Sequence, residues 1–300
     1  MIICILSEKN CTFAEKNVKS EKTKRMNETR IQKTTRDFAL NGYEQSCGKP
    51  QLDGTHRHVL ANKYDNFYGK SMPAFKLHRW AGSLTSSQAF AYNISSGVKN
   101  VKFEYDMWAL DNNPQRKACV DIAIENQNVV DMYEVKMFEF VSCVGKNQIF
   151  HKKEQEKYFH LENYCCSTEE IKKNFMTFIK DVKKYFKDRP IYGEGIKQLC
   201  CHLLGISNEM TKYDKLRNKK LRLYSLCFDY NIGSGFIDHK ENYKDALNEF
   251  SDHVKNYLNN INLQDVIEYC GYLGASEYVK NNKDLLGEAN CDYVKKRYCL

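Results

Sequence analysis

No apolar run in this chain approaches the length of a membrane span. The opening MIICIL turns charged after six residues, too short even for the apolar region of an export signal. Absent too is any Cys-x-x-Cys spacing, although the chain has 13 cysteines. That excludes a zinc ribbon and a thioredoxin-like redox pair. With no export signal the thiols are expected to be reduced, which implies a cytoplasmic protein with no membrane association. The eight histidines form no His-x-x-x-His or His-x-x-Glu-His pair, and His56 and His58 read as loop residues. IGSGF (232–236) is a glycine turn without the Lys-Ser/Thr of a phosphate-binding loop. There is no internal repeat and no low-complexity tract.

What is present is a chain of 300 residues, enough for one large domain or two modest ones. Its net charge is +8, from 46 basic and 38 acidic residues. That bias is compatible with a nucleic-acid partner and does not require one. Residues 1–50 read as a basic N-terminal arm, because 7–40 is rich in Lys, Arg, Thr, Asn and Glu and has no sustained apolar period. The arm is expected to be mobile or loosely helical. A solubilising tail and an arm touching a nucleic-acid backbone are both open readings.

From residue 51 the texture changes. SLTSSQAFAYNISSG (83–97) predicts a short capped helix over about 85–95. VKNVKFEYDMWAL (98–110), ACVDIAI (118–124) and NVVDMYEVKMFEF (128–140) alternate as strands, the last two joined by the polar turn ENQN. STEEIKKNFMTFIKDVKKYF (167–186) has a cap-like start and apolar residues at helical period. A further helix is expected over 194–206, a buried strand over 219–231, and mostly helix, in two or three pieces, over 240–300. The plan is α/β, with a core over 51–235 and a helical C-terminal extension over 236–300 packed on it.

In DMYEVKM, Glu134 and Lys136 stand two residues apart, so on a strand they share a face. If the ENQN turn is centred between Gln127 and Asn128, Asp121 faces Glu134 and Ala123 faces Met132. Ile122, Ile124, Tyr133 and Val135 then form an apolar set, separate from Asp121, Glu134 and Lys136, and a one-residue slip destroys that separation. Facing Cβ atoms lie about 4.5–5.5 Å apart, where like charges destabilise a sheet. Two carboxylates there need a counter-charge. Lys136 is one, and magnesium, which takes carboxylate, water and phosphate oxygens, is a better one. Such a group suits phosphodiester hydrolysis. The plain alternative is a weak surface ion pair.

At these residues the chain resembles the PD-(D/E)XK nuclease superfamily, whose pattern is an acid on one strand and Glu-x-Lys on the next. Here that is Asp121 in VDIAI and Glu134-Val135-Lys136 in MYEVKM, with Val120 where the family usually has proline. HRWAGSLTSSQAFAYN (78–93) and YGEGIKQLCCHLLGI (192–206) are similar to segments of a bacterial branch resembling restriction endonucleases. The resemblance spans about 55–230. It implies a restriction-endonuclease-like core: helix, three-stranded antiparallel meander, helix and further strand, with extra C-terminal helices. It implies a Mg2+ ion (Mn2+ as substitute) held by Asp121, Glu134 and the Val135 carbonyl, with Lys136 orienting the attacking water. Many members add an acid from the first helix. Gln88 stands there, so that ligand is substituted or lost, and Glu104 is either the replacement acid or a solvated strand-face carboxylate. Gln198 would matter as a polar group aimed at the site from the later helix, the default reading being a helix-surface Gln. Some members carry an iron–sulfur cluster, but Cys165, Cys166, Cys200 and Cys201 lack its spacing.

The implied activity is Mg2+-dependent cleavage of DNA in restriction or defence. The resemblance also allows a homodimer, since cutting both strands takes two sites. Alanine at Asp121, Glu134 or Lys136 is expected to abolish cleavage and spare the fold. The alternative is an inactive member of the fold that only binds nucleic acid.

Overall fold

The computed structural model describes residues 30–300, apart from 71, 111–116, 142–148, 151–155, 166–167, 188, 190 and 234. The basic segment before residue 30, and Cys166, lie outside the described residues.

The alternating segments become strands β1 (Val101–Trp108), β2 (Lys117–Glu125) and β3 (Val129–Lys136), an antiparallel meander. β4 (Lys220–Cys227) joins β3 in parallel, and β5 (Ile267–Gly274) joins β4 in parallel. The result is one mixed five-stranded sheet in the order β1-β2-β3-β4-β5. Seven of the eight residues of β3 are buried, as expected of a central strand covered on both faces.

The hairpin register is the one the turn predicts: Ile122 pairs with Tyr133 and Ala123 with Met132. The strand run ends at Lys136 rather than extending to 140. There the Glu139 carboxylate accepts hydrogen bonds from the N–H groups of Met137 and Phe138, 2.7 and 3.0 Å, and the chain enters a 3₁₀ turn over Glu139–Val141. A side chain that captures two successive amides competes directly with a strand ladder.

Among the described residues, the named α-helices around the sheet are α1 (Arg30–Cys47), α2 (Ser87–Asn93), α3 (Glu169–Tyr185), α4 (Gly193–Thr211), α5 (Phe236–Asn260), α6 (Ala275–Asn281), the short α7 (Lys283–Leu286) and α8 (Glu288–Tyr298). α3 starts at Thr168, whose hydroxyl accepts from the Ile171 N–H, and buries Ile171, Phe175, Phe178, Ile179 and Val182. α4 runs five residues beyond the expected end and lies across β1 and β2. Gly205 permits that approach: a Cβ there would stand 2.9 Å from Met107 Cβ and 3.2 Å from Ala118 Cβ. Among the described residues no helix is long and apolar enough to cross a membrane.

Two expectations change. Arg30–Cys47 is no loose arm but a helix packed on α8. Its buried face is Thr35, Ala39, Gly42 and Tyr43, with one large residue among them, which is why no apolar stripe announced it. A Cβ on Gly42 would come 2.1 Å from the Arg297 carbonyl oxygen. Arg297 is 1% exposed, with its guanidinium over the Tyr43 ring and donating to Asn66. The C-terminal extension is not purely helical either, since β5 extends the sheet. Gly271, at φ 73°, sits where the β4–β5 register shifts, and the bulge erases the period-two pattern in IEYCGYLG.

Candidate active site

The strands β2 and β3 part where the acids stand. The β2–β3 ladder runs from Ile122 to Glu125 and stops short of Asp121, and the β1–β2 ladder also omits Asp121 and Glu104. In place of a ladder bond, the Val135 N–H donates to the Asp121 carboxylate, 2.7 Å. The expectation of Asp121 directly opposite Glu134 is therefore refined. The register leads there, but the strands diverge at that pair, as repulsion between facing carboxylates favours.

Glu104, Asp121, Glu134, Lys136, Gln88 and Gln198 all line one cavity of about 430 Å³. Every side chain singled out from the sequence is thus in one place, and Val135 is buried between Glu134 and Lys136. Glu134 and Lys136 are 2% and 3% exposed. A solvated surface pair is excluded for them. The Lys136 ammonium pairs with Oε1 of Glu134, while Nε2 of His202 lies 2.6 Å from Oε2. His202 was not among the residues singled out. It stands on α4 one turn beyond Gln198, and that i, i+4 spacing is the signal that could have found it.

Gln88 is a strut, not a ligand. Its Oε1 accepts from the His78 N–H at 2.8 Å, and its Nε2 donates to the Lys76 carbonyl and to Oε1 of Glu104 at 3.2 and 2.8 Å. A neutral amide here fixes an acid where a second carboxylate would repel it. Glu104 itself has φ 53°, a left-handed backbone in mid-strand. For a residue with a Cβ that costs about 1–3 kcal/mol, and such strain collects at sites whose geometry is over-determined.

The three carboxyls divide by environment. Burial, and then the Glu134 charge, push Asp121 well above the usual carboxylate range, against the pull of Lys136. Burial also dominates the upward shift of Glu104, which hydrogen bonds from Gln88 and Cys119 oppose. For Glu134 burial acts upward too, but Lys136 and His202 outweigh it and hold the carboxyl down at about 2. Burial would lower the Lys136 ammonium, yet Glu134 keeps it well above its ordinary value. Glu134 is the site's settled anion. Asp121 is the one short of positive charge.

Among the described residues, no group of three or more His, Cys, Asp and Glu side chains is placed to hold a metal ion. The donor set still fits a hard cation. Asp121 lacks a dedicated counter-charge, Glu134 retains lone pairs beyond its two contacts, and Gln198 Oε1 is a buried acceptor with no hydrogen-bond partner among the described residues. Oxygen donors with one uncompensated carboxyl suit Mg2+ or Mn2+ better than a thiol- or imidazole-loving ion. Burial also alters one expectation about variants. Alanine at Glu134 or Lys136 strands a buried charge, so it disturbs the fold as well as the chemistry.

Family models, curated proteins and solved structures were all compared with the chain. None matches.

Proposed function

We propose that this chain is a divalent-metal-dependent nuclease of the PD-(D/E)XK kind, hydrolysing phosphodiester bonds in DNA. The observation that carries the reading is the joining of Asp121, Glu134 and Lys136 in one cavity, at the point where β2 and β3 separate. The element order supports it: helix α2, a three-stranded antiparallel meander, helices, then a parallel strand, as in a restriction-endonuclease-like core. A restriction or defence role rests on the resemblance alone, and so does a dimer that cuts both strands.

Asp121, Glu134 and the Val135 carbonyl would hold the cation, with Gln198 as a further oxygen. When bound, such an ion supplies a Lewis acid for the phosphate and lowers the pKa of water. The chain's own groups do the rest. The Lys136 ammonium, anchored by Glu134, orients an attacking water or neutralises a phosphate oxygen. His202 holds Glu134 from behind, so that the carboxylate does not follow the lysine. Gln88 holds Glu104 at the rim, where its carboxyl can accept a hydrogen bond from a water in the cavity.

Supercoiled plasmid incubated with Mg2+ or Mn2+ should be nicked or linearised, and EDTA should stop the reaction. A second reading, a nucleic-acid-binding protein without activity, is favoured by one observation: both oxygens of Glu134 are already engaged and the helix acid is replaced by Gln88. Calorimetric titration with Mn2+ separates the two. Binding that needs both Asp121 and Glu134 supports the nuclease, and no heat at millimolar ion supports the inactive binder.

A further inference from the structure

Trp80 stands at the lip of the same cavity, 43% exposed. A single exposed apolar side chain needs no explanation. What sets this one apart is its mounting. The next four residues, Ala81 to Leu84, are buried, and their backbone is tied down from three sides. Asn66, itself 1% exposed, donates through Nδ2 to the carbonyls of Ala81 and Ser83 at 2.8 and 2.7 Å. The Leu60 N–H donates to the Gly82 carbonyl at 2.9 Å, and the Ser83 N–H to that of Trp80 at 2.9 Å. On the other side, His78 is anchored to Gln88, the strut that positions Glu104. The loop that lifts the indole into solvent therefore shares a fastening with the acid rim of the site.

The indole also has a matched neighbourhood. The Arg79 guanidinium lies over its ring at 5.1 Å, and the His56 ring meets it edge-on at 5.6 Å. Those contacts brace the ring while leaving much of it uncovered. A rigid aromatic surface beside a cation is what stacks a nucleobase and meets the adjoining phosphate. Inside a continuous duplex both faces of every base are already stacked on neighbours, so such a platform finds no face to bind. An unpaired base offers one.

We propose that Trp80 is a stacking platform for an unpaired nucleobase next to the scissile phosphate. The substrate at this cavity is then single-stranded DNA, or the unpaired end of a duplex, with Arg79 meeting the neighbouring phosphate. This rests on the nuclease reading and narrows its substrate. Trp80 is a specificity residue: it selects strand state and takes no part in bond cleavage.

The test uses binding, not cleavage. The chain has two tryptophans, so Trp108→Phe leaves Trp80 as the sole indole. That protein is titrated in EDTA, at fixed salt, with an oligothymidine, an abasic strand of equal length, and a hairpin-closed duplex of equal phosphate number. The oligothymidine should quench the indole, and the other two should quench it little. Binding followed by anisotropy of a labelled oligothymidine should weaken roughly tenfold in Trp80→Ala and stay near the parent value in Trp80→Phe. Equal affinity for all three ligands, or an unchanged Trp80→Ala, overturns the platform. The two readings fail separately. Quenching without Mg2+-dependent cleavage of the same strand keeps the platform and removes the nuclease. Cleavage indifferent to Trp80 and to strand state does the reverse.

Discussion

The β2–β3 hairpin carries two carboxylates that are each held by two basic groups, one at either end. At the turn end Glu125 takes Lys102 and Lys219, both at 2.6 Å, with a third of its side chain in solvent. At the open end Glu134 takes Lys136 and His202 with 2% exposed. Both carboxyls are held down at about 2. The causes differ. Hydrogen bonds from Lys102 and Lys219 are the largest influences on Glu125 and outweigh its burial, whereas for Glu134 burial is the largest influence and Lys136 and His202 together overcome it. The turn-end cluster is complete in itself. The buried cluster adjoins a second carboxyl, Asp121, that the existing charges leave unsatisfied, and it opens on a cavity. The same count of contacts thus makes a surface clasp in one place and, in the other, a buried pair beside an unsatisfied carboxyl at a cavity.

The comparison breaks most visibly in stability. Lys136→Met leaves Glu134 buried with His202 alone and should cost about 3–5 kcal/mol, read as a lower urea midpoint. Adding Glu134→Leu should recover much of that loss, because the stranded charge is gone. Lys102→Met at the turn end should cost no more than about 1 kcal/mol. Equal losses at the two ends would show that burial does not distinguish them.

A smaller effect is expected from His202→Gln, which keeps a hydrogen-bonding group beside Glu134 without the imidazole. Mn2+ affinity by calorimetry should fall roughly 10–100-fold, as for other groups that orient a metal-binding carboxylate. An unaltered affinity would make His202 a packing residue only.

The hairpin was legible in the sequence because two independent signals agree. The polar turn and the apolar set Ile122, Ile124, Tyr133 and Val135 allow one register, and that register brings Asp121 to Glu134. His202 was legible only as a residue on the same helix face as Gln198, because its role beside Glu134 depends on how α4 crosses the sheet. That crossing is set by a missing side chain at Gly205 rather than by a pattern of present ones. β5 escaped for a related reason: one bulged glycine turned its alternation into a spacing that reads as helix. The docking of α1 rests on Gly42 against the Arg297 carbonyl, again a contact made by absence of bulk. Gln88 was legible as a departure from the acid expected there, though not as a strut, since its partners lie on segments distant in sequence.

The smallest expected effect is an acid limb. The folded pKa of Glu125 lies below its ordinary 4.5, so its stabilising contribution is complete above that pH and is lost as pH falls toward 2. For a pair this exposed the contribution is no more than about 1 kcal/mol, and salt screens it. Glu125→Gln should remove that part of the pH dependence and leave cleavage at neutral pH as in the parent. A loss of cleavage there would join the two ends of the hairpin functionally, against the contrast drawn between them.

Asp121→Asn asks whether the unsatisfied carboxyl is catalytic, as proposed. The amide can still accept the Val135 N–H and carries no buried charge, so the urea midpoint should stay level or rise. Plasmid nicking by the parent and by Asp121→Asn, side by side in Mg2+ and in Mn2+, is the measurement. A catalytic Asp121 requires metal-dependent nicking by the parent and a loss of at least roughly 10²-fold in the folded variant. A variant that nicks as fast as the parent, or a folded parent inert in both metals, would contradict it.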